Sequence, residues 1–212
     1  MNVTRRWASE GRRAPPSEEL RVGLVWVTTH LLNAKPRVIQ GRQALPPVLV
    51  FSDGACEESG TSVGAVLFDP LTGKLQCFGA EISQRTLNTW KSRTDQTQVI
   101  GQAELFPLLV ARLTWHKILA GRRCIFFLDN ESARIAMIRA YSPVLCSLSI
   151  VMSCLKWDYE NECVGWYARV PTASNPGDAP SRMHIPSMSR EVEVVTPIFP
   201  YGHEANVVLR VG

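Results

Sequence analysis

The order of apolar segments is the feature that most restricts the fold of this 212-residue chain. Three short apolar segments follow one another with only short polar turns between them, which indicates antiparallel strands. Helical and strand-like patterns then alternate, as they do in sheets that contain parallel strands. We therefore predict an α/β fold with a five-stranded mixed sheet (three antiparallel strands, then two parallel ones) flanked by helices. The predicted strands start at Val48, Val63, Leu75, Cys124 and Val164.

Helical patterns fill the intervals after the third strand. They cover residues 97–119, 130–141, 143–158 and about 178–182. Pro107 lies inside the first of these helices and predicts a kink there. A further helix is predicted from Ser17 to about Asn33, as part of an N-terminal helical arm. Its apolar residues recur at helical spacing, at Leu20, Leu24, Val27 and Leu31.

The basic residues are concentrated near the N-terminus. Residues 1–47 contain eight Lys or Arg and three acidic residues, which gives +5 for this part and −1 for the remainder of a chain whose net charge is +4. A basic arm of this kind is compatible with nucleic-acid binding, with a nuclear-import signal or with a solubilising tail. The linker at 34–47 contains three prolines and a glycine.

Composition excludes several classes of protein. No apolar run reaches the length of a membrane-spanning helix, and the first 16 residues lack the apolar core of a signal peptide. We expect no membrane association. The six cysteines form no CxxC pair, which argues against structural zinc. They are expected to be reduced, buried thiols in an intracellular protein, cytoplasmic or nuclear.

Four carboxylates stand next to apolar segments, and they define the candidate site. They are Asp53, Glu104, Asp129 and Asp178. Each has an ordinary explanation when taken alone: Asp53 as a turn residue at a strand end, Glu104 as a solvated helix position, and the other two as residues at helix starts. Their joint placement is more informative. Asp53 and Asp129 would lie side by side if the first and fourth strands are neighbours.

A cluster of four carboxylates indicates a bound cation. Like charges at such short range cannot all remain ionised without one. Oxygen ligands suit hard divalent ions, so we expect two Mg²⁺ ions, with Mn²⁺ as a substitute, and no small-molecule cofactor. Two such ions, about 3.5–4 Å apart, are the usual arrangement for phosphodiester hydrolysis, which then needs no protein nucleophile.

Four segments resemble the ribonuclease HI domain attached to the reverse transcriptases of retroelements. They are 50–55 (VFSDGA), 102–105 (QAEL), 127–130 (FLDN) and 170–182 (VPTASNPGDAPSR). The resemblance covers residues 46–183 and implies that the four acids bind two Mg²⁺ ions and cut the RNA strand of an RNA–DNA hybrid. Candidate nucleic-acid contacts are Gly54, Ala55, Asn130, Asn175 and Arg182.

The flanking regions are assigned by the same resemblance. Residues 1–45, with the basic arm and helix, resemble the end of a reverse-transcriptase thumb or connection, so a polymerase domain is a candidate partner. Residues 184–212 form a C-terminal tail without an assignment. The chain departs from many cellular members of the family because its 169–177 loop contains no histidine.

Two alternative functions stay open at this point. The chain could be a catalytically silent module of the same fold that holds nucleic acid or protein. It could also be a resolvase-like or transposase-like nuclease, since fold alone does not select the substrate. The presence of all four acids argues against the first alternative, and the 175–182 segment argues against the second.

Overall fold

The computed structural model describes residues 18–34, 45–57, 60–92, 99–188 and 190–210. The chain forms two compact units, Met1–Arg42 and Gln43–Gly212. The first contains helix α1 (Glu18–Asn33), at the position that the sequence predicted. Leu20 is buried, whereas Leu24, Val27 and Leu31 are 45–72% exposed. The basic arm before Glu18 lies outside the described residues, as does most of the linker.

A mixed sheet forms the centre of the second unit. Its strands are β1 (Val48–Glu57), β2 (Gly60–Asp69), β3 (Lys74–Ile82), β4 (Arg123–Leu128), β5 (Val164–Arg169), β6 (Glu193–Val194) and β7 (Ala205–Val208). The spatial order is β5-β4-β1-β2-β3-β6, and β7 also pairs with β3. β1, β2 and β3 are antiparallel, and β4 and β5 are parallel to β1. The predicted mixed α/β fold is therefore confirmed.

The helices of this unit differ in part from the prediction. They are α2 (Gln84–Ser92), α3 (Ile100–Thr114), α4 (His116–Leu119), α5 (Glu131–Arg139), α6 (Leu145–Glu160) and α7 (Asp178–Ser181). The single helix predicted at 97–119 is two helices, because the helical conformation is interrupted at Trp115. α2 was not predicted, since its sequence is polar apart from Leu87 and Trp90, which it buries.

Two features of the sheet correct the sequence interpretation. The first strand was expected to end at Asp53, yet it continues to Glu57, because the residues up to 57 pair with β2 through backbone hydrogen bonds. Asp53 thus lies inside a strand and not at its end. The C-terminal tail, which had no assignment, adds β6 and β7 to the outer edge of β3.

The main core lies between the sheet and the helices, with α3 at its centre. Every residue of α3 from Gln102 to Arg112 is buried. All six cysteines are free, and five of them are buried. Within the described part of the chain, no helix is both long enough and apolar enough to cross a membrane.

A buried ion pair holds α3 in place. The guanidinium of Arg112 is fully buried, and its Nε and Nη2 donate to the two carboxylate oxygens of Asp158 on α6, each at 2.9 Å. It also donates to the hydroxyl of Tyr167 on β5 and lies 4.1 Å from the ring centre of Phe126 on β4. Two-point geometry of this kind fixes orientation. The pair thereby fixes α3 relative to β4, and with it Glu104, which lies two helical turns before Arg112.

Two glycines permit α7 to lie directly on the sheet. Gly64 pairs with Gly79 across β2 and β3, and Gly64 also pairs with Asp53 on β1. A Cβ atom on Gly64 would lie 2.1 Å from the backbone nitrogen of Ser181, and one on Gly79 would lie 2.2 Å from the carbonyl oxygen of Pro180. Only residues without a side chain fit here, so these glycines set the height of α7 above Asp53.

We expect Gly64→Ala to destabilise the protein, because the added methyl group would meet backbone atoms that have no side-chain freedom to move. Overpacking of this kind costs about 1–3 kcal/mol or more. Gly101→Ala is the matched control, since its Cβ would have only Ser147 Oγ within contact range, at 3.8 Å. That control should be neutral or slightly stabilising, because alanine favours helix. Urea denaturation measures both, and equal effects would contradict the role assigned to Gly64.

Candidate metal centre

Three of the four predicted carboxylates meet at one point. Asp53, Glu104 and Asp129 each offer one oxygen, and these oxygens lie within 4.8 Å of one another. β1 contributes the first, α3 the second, and Asp129 directly follows β4. This arrangement brings together residues that are far apart in the sequence.

The register between β1 and β4 explains why Asp53 and Asp129 are neighbours. The last paired residues are Phe51 and Phe127, whose rings stack with their centres 4.5 Å apart. Asp53 and Asp129 each come two residues later. Because β4 ends at Leu128, the edge of β1 beside Asp53 has no strand partner there among the described residues. The gap leaves room for the Asp129 and Glu104 side chains.

A close approach of α3 to β1 brings Glu104 into the group. A Cβ atom on Gly54 would lie 2.3 Å from the carbonyl oxygen of Ala103 and 2.8 Å from the backbone nitrogen of Glu104. Glycine is therefore required at position 54 for this contact. The Gly54 backbone N–H and the Asn130 side chain favour the charged form of Glu104 and partly offset the effect of burial on its pKa.

Asn130 connects two parts of the site. Its side-chain oxygen accepts a hydrogen bond from the Ala133 backbone N–H at 3.0 Å and so caps α5. For Asp129, a place at the helix start was the ordinary alternative to a metal-binding role; its carboxylate faces the acidic group, which consists of Asp53, Glu104 and Asp129. One amide side chain thus caps α5 and also lowers the pKa of Glu104.

Burial and mutual repulsion raise the pKa values of two of these acids. Asp53 is 6% exposed and Glu104 9%. Loss of hydration raises the pKa of Asp53 to about 6, with a smaller contribution from the negative charges of Asp129 and Asp178. Burial raises the pKa of Glu104 to about 8, and the charges of Asp53 and Asp129 add to the shift. In the metal-free protein, Glu104 therefore holds its proton at neutral pH.

A hydroxyl group fixes the carboxylate of Asp53. Ser181 Oγ donates to Asp53 Oδ2 at 2.5 Å, and Ser181 is completely buried. The hydrogen bond favours the charged form of the acid and partly offsets the effect of burial on its pKa. Neither Ser181 nor the two glycines beneath α7 was recognised from the sequence.

Asp178, the fourth predicted acid, lies beside the group without joining the close contact. Its charge raises the pKa of Asp53, and its side chain is 35% exposed. Asp178 Oδ1 accepts a hydrogen bond from Arg182 Nε at 3.0 Å, and Arg182 also pairs with Glu57 at the end of β1. The structure thus brings Asp53, Glu104 and Asp129 together and leaves Asp178 at the rim, bound to a cation of the protein.

The residues assigned to nucleic-acid contact are divided by their exposure. Asn175 is 5% exposed; its Nδ2 donates to the carbonyl oxygen of Ser52, and its Oδ1 accepts from the Gly177 N–H. It therefore anchors the 175–182 segment to β1. Gly54 and Ala55 are also buried. Arg182, whose side chain is 49% exposed, and the half-buried Asn130 remain accessible.

The donor set fits a hard divalent cation. It consists of carboxylate oxygens alone, the ligands that Mg²⁺ and Mn²⁺ prefer. Asp129 Oδ1 is buried and has no hydrogen-bond partner among the described residues. An unsatisfied buried oxygen of this kind is rare in proteins and is explained by a ligand or an ordered water. A cation among the three acids would satisfy it and remove their mutual repulsion.

Comparison with known proteins identifies the fold. No family model matches the sequence, and no curated protein matches it either. The RNase H1 of the halophilic archaeon Halobacterium salinarum NRC-1 superposes with a TM-score of 0.52 at 17% identity, over 65% of this chain and 96% of that one. The N-terminal RNase H domain of Rv2228c from Mycobacterium tuberculosis was solved as a fusion with maltose-binding protein. It superposes with a TM-score of 0.44 at 17% identity and covers 64% of this chain and 91% of that one. The first superposition shows that this chain has an RNase H-like fold.

We expect Glu104→Gln to stabilise the metal-free protein at alkaline pH. The folded-state pKa of Glu104 lies above its ordinary value of 4.5, at about 8. Between these values only the folded state keeps the proton, so the stability of the wild type falls as pH rises through this window. The glutamine variant does not titrate. At pH 8–9 the free energy of unfolding of this variant should exceed that of the wild type by about 2 kcal/mol or more. At pH 4 the two proteins should be equally stable.

Thermal unfolding in EDTA from pH 4 to pH 9 measures this difference. Glu131→Gln is a control of opposite sign, because Arg134 lowers the pKa of that exposed carboxylate. Its contribution to stability is present above its unfolded-state pKa and is lost as pH falls. If both variants, or neither, were more stable than the wild type at alkaline pH, the electrostatic account of the site would be contradicted.

Proposed function

We propose that the chain is a divalent-metal-dependent endonuclease that hydrolyses the RNA strand of RNA–DNA hybrids. One observation carries the proposal. In an RNase H-like fold, Asp53, Glu104 and Asp129 place their oxygens within 4.8 Å of one another at the open edge of β1. A purely structural protein gains nothing from burying repelling carboxylates, whose uncompensated burial is unfavourable.

The three converging acids would hold a Mg²⁺ or Mn²⁺ ion, and Asp178 would take part in holding a second one. Such ions, when bound, lower the pKa of water and neutralise charge on a phosphodiester. Asp53 and Asp129 orient toward the shared position from adjacent strands, and Glu104 reaches it from α3. Without cations the cluster would repel the phosphate backbone, so the same residues make substrate binding dependent on metal.

The hybrid substrate is inferred from the fold and from the residues together. The Halobacterium salinarum structure that shares this fold is named as an RNase H1. RNA within a helix is read through its shape and its 2′-hydroxyl groups, which requires no sequence-specific contacts. Arg182 and Asn130, which border the acidic group and remain accessible, are the described residues best placed to meet the nucleic acid.

We further propose that the domain derives from a retroelement reverse transcriptase. The 170–182 segment supports this origin, because it has the retroelement form of the segment that carries the fourth acid. In the structure the segment is anchored by Asn175 and placed on the sheet at Gly64. Under this proposal the RNase H-like part comprises residues 46–183, and residues 1–45 are the end of a thumb or connection next to a polymerase domain.

Cleavage of an RNA–DNA hybrid tests the function directly. With Mg²⁺, the wild type should cut the labelled RNA strand, and Asp53→Asn and Asp129→Asn should each lose at least about 100-fold in rate, since metal ions contribute several kcal/mol to such reactions. Asp178→Asn should lose less, because this acid lies at the rim. Glu160→Gln changes an exposed carboxylate of α6 and serves as the control.

The choice of substrate separates the alternatives. Duplex DNA and a four-way DNA junction, tested alongside the hybrid, should remain intact. Cleavage of the junction in place of the hybrid would favour a resolvase-like enzyme. A folded wild type that cuts none of these substrates, with either Mg²⁺ or Mn²⁺, would contradict the nuclease assignment and favour a silent module.

A further inference from the structure

Ser181 makes a contact with the acidic group that none of its neighbours makes. Its hydroxyl lies 2.5 Å from Asp53 Oδ2, and the residue has no exposed surface. The same hydroxyl lies 2.8 Å from the carbonyl oxygen of Asp178, the ordinary contact of a serine within a helical turn. A hydroxyl has one hydrogen to donate. A carboxylate is the stronger acceptor, so that hydrogen belongs to Asp53.

Two close backbone contacts and one hydrogen bond fix the position of Ser181. Gly64 lies directly beneath its backbone nitrogen, and Gly79 lies beneath Pro180. Ser62 Oγ donates to the Ser181 carbonyl oxygen at 2.5 Å and ties the end of α7 to β2. Two serines thus act at the same place in different ways. Ser62 holds the backbone of α7, whereas Ser181 holds the carboxylate of Asp53.

We propose that Ser181 is a positioning residue that orients the Asp53 carboxylate for a divalent cation. The inference rests on the proposed function, since it concerns the same site. A carboxylate bound at one oxygen has a fixed plane and keeps its other oxygen for a ligand. It also remains charged more readily in a buried setting. Partners of metal ligands act in this way, and their removal typically lowers metal affinity by about 10–100-fold.

Two features of the structure support a role in orientation over simple packing. The side chain ends at the carboxylate, so its removal leaves the backbone contacts with Gly64 and the Ser62 hydrogen bond unchanged. Asp53 lies on β1 and Ser181 on α7, 128 positions later in the chain. Among the described residues, Asp53 is the carboxylate that the Ser181 hydroxyl contacts, its other contact being the Asp178 carbonyl oxygen. The effect of Ser181 on a cation should therefore disappear when Asp53 can no longer serve as a ligand.

Manganese binding to the full chain tests the proposal without reference to catalysis. Free Mn²⁺ is followed by electron paramagnetic resonance during titration of the wild type, Ser181→Ala and Ser62→Ala, with thermal unfolding measured on each. Ser181→Ala should bind Mn²⁺ about 10-fold more weakly than the wild type. Ser62→Ala, which keeps the contact with Asp53, should bind within about twofold of the wild type even if its melting temperature falls.

A double-mutant comparison provides the specific signature. In an Asp53→Asn background, Ser181→Ala should cause no further loss of Mn²⁺ affinity beyond about twofold. Ser181→Cys, with its weaker donor, should bind with intermediate affinity and provides a second variant if Ser181→Ala fails to fold.

The outcomes distinguish this inference from the function on which it rests. A wild type that binds Mn²⁺ while the folded Ser181 variants bind equally well would overturn the positioning role and leave the proposed nuclease intact. Equal losses in Ser62→Ala and Ser181→Ala would also overturn it, since they would indicate a general effect on α7. A wild type that binds no Mn²⁺ would overturn both proposals.

Discussion

The close approach of three carboxylates, Asp53 and Glu104 buried and Asp129 half-buried, is the constraint on which the rest of this structure depends. Asp53, Glu104 and Asp129 bring their oxygens within 4.8 Å of one another, in a setting that raises the pKa of Asp53 to about 6 and that of Glu104 to about 8. Such an arrangement is unfavourable on its own. The hydroxyl of Ser181 donates to Asp53, and the amide of Asn130 and the backbone N–H of Gly54 favour the charged form of Glu104. A divalent cation would turn the mutual repulsion of the three acids into a binding site.

Close backbone approaches on β1 and β2 place these groups. Gly54 allows α3 to contact β1, and Gly64 allows α7 to contact β2. The first contact delivers Glu104, and the second delivers Ser181 to Asp53. The buried Arg112–Asp158 pair then holds α3 against α6. The site is consequently built on the sheet and on helices packed directly against it, which suits a geometry that must be kept to within a fraction of an ångström.

The sequence was informative where a local pattern determines the structure. Apolar periodicity predicted the five long strands and their mixed sheet, and three of the four predicted acids do converge. The local sequence pattern gave wrong or missing predictions where contacts between distant residues determine the structure. Asp53 was placed at the end of its strand because polar residues end the apolar run there, although backbone pairing with β2 extends β1 to Glu57. Ser181 could not be found, since its partner lies 128 residues away. The short strands β6 and β7 pair with the edge of β3, a contact between segments far apart in the sequence.

The central claim is that three carboxylates form one cation site, and diffraction from crystals grown with Mn²⁺ tests it most directly. The anomalous difference map should show a manganese peak in contact with Asp53, Glu104 and Asp129, with Asp129 Oδ1 or its partner oxygen among the ligands. Asp53→Asn crystals grown under the same conditions should show a weaker peak or none. A map without a peak at this position, or with Mn²⁺ bound only elsewhere on the surface, would contradict the account.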